Sequence, residues 1–372
     1  MKYKKGIFSF IVVISIVAIF LATFILISGC APKVVSTSTE EGTTPALVKK
    51  PVIGFVFTGL THPYHVEHMN ASKEAAIAYG YDTIFLSSEG NMEKNLIAIE
   101  SLIEQKVSLI VCDPVDPKGI IQAIDKCQKA NIPFVTTYGI VEHEWTYNAP
   151  TPDYRSMYNL TQVMLSYLNW EGNFAKLAGL AGHFPAEERL RGFNAAITEA
   201  QKENPNIEEL SVQYTDWDPV KAQKILEDWL VAYSKIDGII TSSDGLLYTA
   251  VDMVKNAGRE EEINLFGHDG DLKALELVQS GQFKADVLLG ATRLAWFEMR
   301  YAHDIVSGLN PPKVVEMPTN LVMSDETATK CYDNGLNKDI VYVTPEKAME
   351  YAKFGSLEFG PDNPITYEAF EK

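Results

Sequence analysis

The chain has 372 residues, with 49 acidic against 32 basic side chains and a formal net charge of −17. That surplus repels phosphate backbones and excludes nucleic acid as a partner. Four cysteines without a CxxC or regular spacing exclude a zinc ribbon and a disulfide framework. The sequence from Pro51 onward, about 320 residues, exceeds what one core usually holds, so two lobes are expected.

The N-terminus opens with the basic "MKYKK", then the apolar run "GIFSFIVVISIVAIFLATFILI", long enough to span a bilayer. "LISGC" then sets small residues before Cys30 and resembles the lipobox of bacterial lipoproteins. The resemblance implies that residues 1–29 are a signal peptide and that Cys30 becomes the lipidated N-terminal residue. The protein is then exported and lipid-anchored to the outer face of the cell membrane, on its periplasmic or extracellular side. Residues 30–50, rich in Ser, Thr, Pro and charge, read as a flexible tether of roughly 25 Å.

From residue 51 to about 290, short β-branched runs alternate with amphipathic stretches. In chain order the strands are "VIGFVF", "YDTIFL", "VSLIVC", "IPFVTT", "FAKLAGL", "LSVQYT", "IDGIIT", "INLFGH" and "FKADVLL". Asn91 is placed to cap the helix "NMEKNLIAIESLIEQK", and Asp218-Pro219 to open "PVKAQKILEDWLVAYSK". Alternating β and α elements predict an α/β fold, parallel sheets covered by helices on both faces. The rhythm lapses at "YGIVEHEWTYNAPTPDYRS", the expected first crossing between two doubly wound lobes joined by a multi-strand hinge. The expected division is 51–150 plus about 289–317 for the N-terminal lobe, and 151–288 plus about 318–344 for the C-terminal lobe. Residues 345–372 read as a charged, partly helical tail without a legible role. Cys112 is expected to be a buried thiol.

Several stretches, in order, resemble the type I periplasmic sugar-binding proteins of ABC transporters, the ribose/galactose-binding family. They are "IGFVFTGLTHPYHVEHMNASKEAAIAYGYDTIFL", "LIVCDPVDPKGIIQAIDKCQKANIPFVT", "GLAGHFPAEERLRGFNAAI" with Arg189, Gly192 and Phe193, and "INLFGHDGDLKALELVQSGQFKADV". The resemblance covers roughly residues 51–322. It implies a receptor that captures a sugar between two lobes and hands it to a membrane permease driven by a separate ATPase subunit.

In open parallel sheets, ligands bind beyond the carboxyl ends of the strands. The residues just after each strand are His62, Tyr64 and His65; Asp116; Tyr138; Glu187; Trp217; Ser243 and Asp244; and Asp269. Rings and carboxylates suit a neutral sugar, whose C–H face packs on a ring while its hydroxyls donate to carboxylates. Trp217 also reads as a ring packing on its own helix. Asp116 and Asp244 read equally as helix or turn caps, and Asp269 has a cap as its alternative reading. The resemblance puts a stacking aromatic at Trp217 and a sugar-binding aspartate at Asp269. Against the family, His62 and His65 replace asparagine and phenylalanine, Tyr138-Gly139 replaces Asp-Arg, and Glu187 replaces an arginine. Two guanidinium contacts are therefore expected to be missing, which favours neutral ligands over uronic acids and sugar phosphates.

His62, His65 and His68 crowd seven residues of "THPYHVEHMN". A metal site needs a further ligand on the same face, and Glu67 points elsewhere around the helix. No metal and no cofactor are expected, and His68 is expected to be peripheral. No nucleophile elbow, P-loop or GxGxxG points to an enzyme, leaving a glycosidase built on paired acids as the rival chemistry. A sugar-responsive repressor would need a DNA-binding helix-turn-helix where the export signal stands. The same fold could also take a nucleoside, a quorum-signalling furanose or an oligosaccharide. The expected form is a monomer that meets the membrane only through its lipid anchor.

Overall fold

The computed structural model describes residues 50–60 and 63–363. The expected signal peptide, Cys30, the expected tether up to residue 49 and His62 lie outside the described residues.

Strand β1 (Val52–Phe57) is buried at five of six positions, as expected of a strand covered on both faces. It pairs with β2 (Asp82–Ser87) and β3 (Leu109–Cys112), and β4 (Phe134–Tyr138) and β5 (Thr146–Pro150) extend the sheet. All are parallel, in the order β2-β1-β3-β4-β5. Helices α1 (Pro63–Tyr79), α2 (Met92–Glu104) and α3 (Ile121–Lys129) connect the first four strands. Asn91 caps α2 by accepting the Lys94 N–H at 3.0 Å.

Helix α4 (Asp153–Tyr167) begins the second lobe. Six further elements alternate from there: β6 (Gly172–Ala178), α5 (Phe184–Glu203), β7 (Ile207–Tyr214), α6 (Pro219–Ala232), β8 (Gly238–Thr241) and α7 (Asp244–Asn256). Then come β9 (Asn264–Phe266), α8 (Leu272–Gln279) and β10 (Phe283–Leu288). Asp218 caps α6 through the Val220 N–H at 2.8 Å, ahead of Pro219. Helix α9 (Ala291–Val306) returns to the first lobe, where Leu294, Phe297 and Tyr301 share a core with Ile53 and Phe55. After it come β11 (Asn320–Val322), α10 (Asp325–Asp333) and β12 (Tyr342–Val343), which complete the second sheet in the order β12-β11-β10-β9-β8-β6-β7. Among the described residues, only the β10–β11 strand pair is antiparallel.

The stretch read as a lapse in rhythm contains β5, an extra strand at the edge of the first sheet. Its "TYNAP" lacks the apolar run of a central strand. Residues 313–317 lie beside it, with the Val315 and Met317 N–H groups donating to Asn148 O and Pro150 O at 2.9 Å. The chain passes between the lobes after β5, after β10 and before β11, which makes the hinge multi-stranded.

Residues 345–359 of the terminal stretch are packed against both lobes. Helix α11 (Pro345–Lys353) sets Ala348 and Ala352 in the second lobe's core, and α12 (Ser356–Phe359) sets Phe359 in the first. Glu358 pairs with the fully buried Arg293, whose Nη1 donates to Leu288 O (2.7 Å) and Leu289 O (3.2 Å) and Nη2 to Pro318 O (3.1 Å). One guanidinium thus ties two of the crossing segments to α12.

Candidate functional site

Ligands of open α/β sheets bind where strand order reverses. That point lies between β1 and β3 in the first lobe, and between β6 and β8 in the second. At the first, Asp113 follows β3 directly and is buried. Its Oδ2 accepts from Thr58 Oγ1 at 2.6 Å and from the Thr58 N–H at 3.4 Å, just past β1. The first turns of α1 add rings. His65 stacks on Phe57 (5.9 Å, 24°), and Tyr64 and His65 each lie 6.4 Å from the Tyr138 ring. Tyr138 ends β4 at φ +63°, a left-handed conformation that costs free energy and concentrates at functional sites. His68, expected to be peripheral, is fully buried between Tyr138 and Glu298. One turn beyond His65, its ring falls on the inward face of α1.

At the second switch point stands Arg189, on α5 and buried. Its Nε bonds Asp153 at 2.6 Å, and its Nη1 bonds Asp269 at 2.9 Å and Ser242 O at 2.5 Å. Asp269 sits at φ +133°, held by the Leu289 and Gly290 N–H groups donating to its carbonyl at 3.1 and 2.6 Å. His268 bridges the Ser156 hydroxyl (2.9 Å) and Asp269 (3.3 Å). The Trp217 ring, at φ +60°, lies edge-on to His183 (6.0 Å, 88°) and 6.0 Å from the Arg189 guanidinium. It lies against Gly179, where an added Cβ would meet the ring at 2.2 Å. Only glycine leaves room for that ring.

The two sheet ends sense each other. Burial raises the Asp113 carboxyl, an effect opposed by His183 of the other lobe, while burial lowers His183 against the pull of Asp113. Burial also lifts the Tyr64 phenol well above its usual range, and Asp269 across the gap adds to this. Phe184 reaches across as well, 3.3 Å from where a Cβ on Gly139 would stand. Burial alone would raise Asp269, but Arg189 and His268 outweigh it and hold the carboxyl below its usual range. Burial and the nearby guanidinium bring His268 down to about 4, so it is neutral near pH 7.

Of the sequence-predicted residues, Tyr64, His65, Tyr138, Trp217 and Asp269 come together. Others do not. Asp116 is exposed and accepts the Lys118 N–H at 2.9 Å, closing its own turn. Glu187 accepts the Gly182 N–H (2.7 Å) and the Tyr214 hydroxyl (3.1 Å), bracing the loop before α5. Ser243 is the half-buried N-cap position of α7. Asp244 lies under the Asp269 loop, accepting the Asp271 N–H at 2.9 Å and facing Asp286, and burial raises both carboxyls. Asp271, not Asp269, caps α8, through the Ala274 N–H at 3.0 Å.

Asp113, His183, Arg189 and His268 were missed. Asp113 was legible, being the first polar residue after "LIVC". Arg189, which the Arg-x-x-Gly-Phe pattern had marked only as a helix signature, brings a guanidinium to this end of the second sheet. Among the described residues no three His, Cys, Asp or Glu side chains are placed to hold a metal ion.

The profile of the periplasmic binding protein domain matches residues 53–310. The chain belongs to this family. The ribose import binding protein of Escherichia coli is 25% identical over 247 residues, 64% of this chain and 79% of its own. The D-apiose import binding protein of Paraburkholderia graminis is 22% identical over 250 residues, 66% and 77% of the two chains. Among solved structures, an ABC transporter solute-binding protein from Actinobacillus succinogenes with bound D-allose superposes with a TM-score of 0.69 at 22% identity. The match covers 75% of this chain and 100% of that one. The myo-inositol binding protein of Caulobacter gives a TM-score of 0.68 at 16% identity, covering 76% and 97%. The two-lobed type I fold is therefore shared. Members of this periplasmic binding protein family bind solutes for ABC transporters and are not enzymes.

Proposed function

We propose that this periplasmic binding protein captures a neutral sugar or sugar alcohol of five or six carbons between its lobes. The observation that carries the reading is the close approach of the two sheet ends, Phe184 of one lying 3.3 Å from a Cβ position on Gly139 of the other, with rings and acceptors at both ends. Tyr64, His65, Tyr138 and Trp217 offer faces for C–H surfaces, while Asp113 and Asp269 accept from hydroxyls. Arg189 does not call for an anionic ligand, because Asp153 and Asp269 already offset its charge. Relatives named for ribose, D-apiose and xylitol, and structural neighbours holding D-allose or myo-inositol, support the same class.

The cargo passes to a membrane permease with its ATPase subunit, and the receptor is held to the outer face of the membrane by a lipid on Cys30. The lobes act as one monomer that closes on the sugar and opens at the permease, biased by contacts present only when closed. Titration calorimetry with D-ribose, D-allose, xylitol, myo-inositol, glucuronate and ribose 5-phosphate tests the cargo. A neutral compound binds, and at a hundred times its Kd it stabilises the protein by about 2.7 kcal/mol. Tighter binding of either anion than of every neutral compound overturns the reading, and a nucleoside or oligosaccharide outcompeting all of them replaces it. Labelled fatty acid enters the wild type and not Cys30→Ala if the anchor is right.

A further inference from the structure

Behind Tyr138 lies a chain of buried polar groups drawn from α1, β4 and α9. The Thr137 hydroxyl meets Glu298 Oε1, Glu298 Oε2 lies 2.9 Å from His68 Nε2, and His68 Nδ1 lies 3.1 Å from the Tyr138 hydroxyl. Thr137, His68 and Glu298 are 0% exposed and Tyr138 is 7% exposed. Buried polar groups persist only where each is bonded, so the direction of every hydrogen in the chain is set.

A carboxylate has no hydrogen to give, so Glu298 accepts from both Thr137 and His68. His68 then carries its proton on Nε2 and a lone pair on Nδ1, as the bond made by one ring nitrogen fixes the other. Among the described residues, the hydrogen bonded to that lone pair is the one on Tyr138. We propose that His68 and Glu298 are positioning residues that turn the Tyr138 hydroxyl inward, so that Tyr138 offers the ligand an oxygen lone pair and no hydrogen. This rests on the cleft reading above and sharpens it. With Asp113 and Asp269, the site becomes a set of acceptors, and a ligand that fits must bring hydroxyl hydrogens to each. A ligand offering carbonyl or ether oxygens at the Tyr138 position is turned away.

The direct test needs no ligand. In the full folded protein with 15N-labelled histidine, the His68 Nδ1 resonance lies in the range of an unprotonated nitrogen, and Nε2 carries the proton. Tyr138→Phe removes the O–H···N bond and moves the Nδ1 resonance further toward a free lone pair without moving the proton. A proton on Nδ1, or on both nitrogens, overturns the inference. The second arm is a double-mutant cycle by calorimetry with D-ribose, D-allose, xylitol and myo-inositol. Tyr138→Phe and His68→Gln each weaken the best of these about tenfold, and the double variant binds no more weakly than Tyr138→Phe alone, because His68 acts through that hydroxyl. Losses that multiply overturn the positioning role, since a residue needed only for folding gives an independent cost. If the resonances behave as stated and none of the four compounds binds, the cargo reading falls and the direction of the hydroxyl stands.

Discussion

In the first lobe the candidate wall is made of rings, Tyr64, His65 and Tyr138, with Asp113 as its one carboxylate. The second lobe meets it with a charge network, Arg189 between Asp153 and Asp269, flanked by the rings of Trp217, His183 and Phe184. Both stand at switch points of parallel sheets, so topology fixes where a ligand goes and not what meets it. The ring wall can read shape and C–H surface. The charged wall is committed mostly to itself, which keeps its acceptors oriented while leaving little net charge to attract an ion.

The sharpest way to break this contrast is Arg189→Leu. It leaves Asp153 and Asp269 buried without their cation, and removing one partner of a buried pair costs about 3–5 kcal/mol. Chemical denaturation should show that loss, together with binding reduced far more than by any change in the ring wall. A stable variant with intact affinity would mean the network is incidental.

The next test titrates the charged wall alone. His268 sits at about 4 when folded against 6.5 as a free side chain, so its neutral form is the one the fold favours. The unfolded chain binds the proton first, and stability present above pH 6.5 drains away as pH falls toward 4. The span corresponds to about 3 kcal/mol. Wild type should lose that much more than His268→Gln between pH 7 and 4 by denaturant titration, and parallel slopes would discard the idea.

Smallest is the contrast between Trp217 and Asp116. Trp217→Ala should weaken sugar binding by about 0.5–1.5 kcal/mol through lost stacking. Gly179→Ala should do the same by displacing the ring. Asp116→Ala, on an exposed turn, should leave affinity unchanged in the same calorimetric series. An effect at Asp116 equal to that at Trp217 would redraw the site.

The architecture was legible because strands and helices alternate with clear periods and caps, as Asn91 and Asp218 show. β5 was not, since an edge strand carries "TYNAP" rather than a hydrophobic run. In the site, rings after strands were readable, because a ring at a strand end has few other employments. The carboxylates were harder. Asp116, Asp244 and Asp269 each had a cap reading beside the contact one, and only three-dimensional packing separates a turn cap, a buried acid under a loop and a partner of Arg189. Arg189 itself was hidden because its carboxylates lie 36 and 80 residues away.

The return of α9 to the first lobe has a further consequence, for the order in which the chain is made. Ile53 and Phe55 share their core with Leu294, Phe297, Tyr301 and Phe359, and His68 finds Glu298 some 230 residues on. The first lobe therefore cannot finish its interior until α9 and α12 have been synthesised. Contacts so distant along the chain slow folding, so a growing polypeptide stays open through most of its own manufacture. An open chain is also the form that a narrow translocation channel can thread.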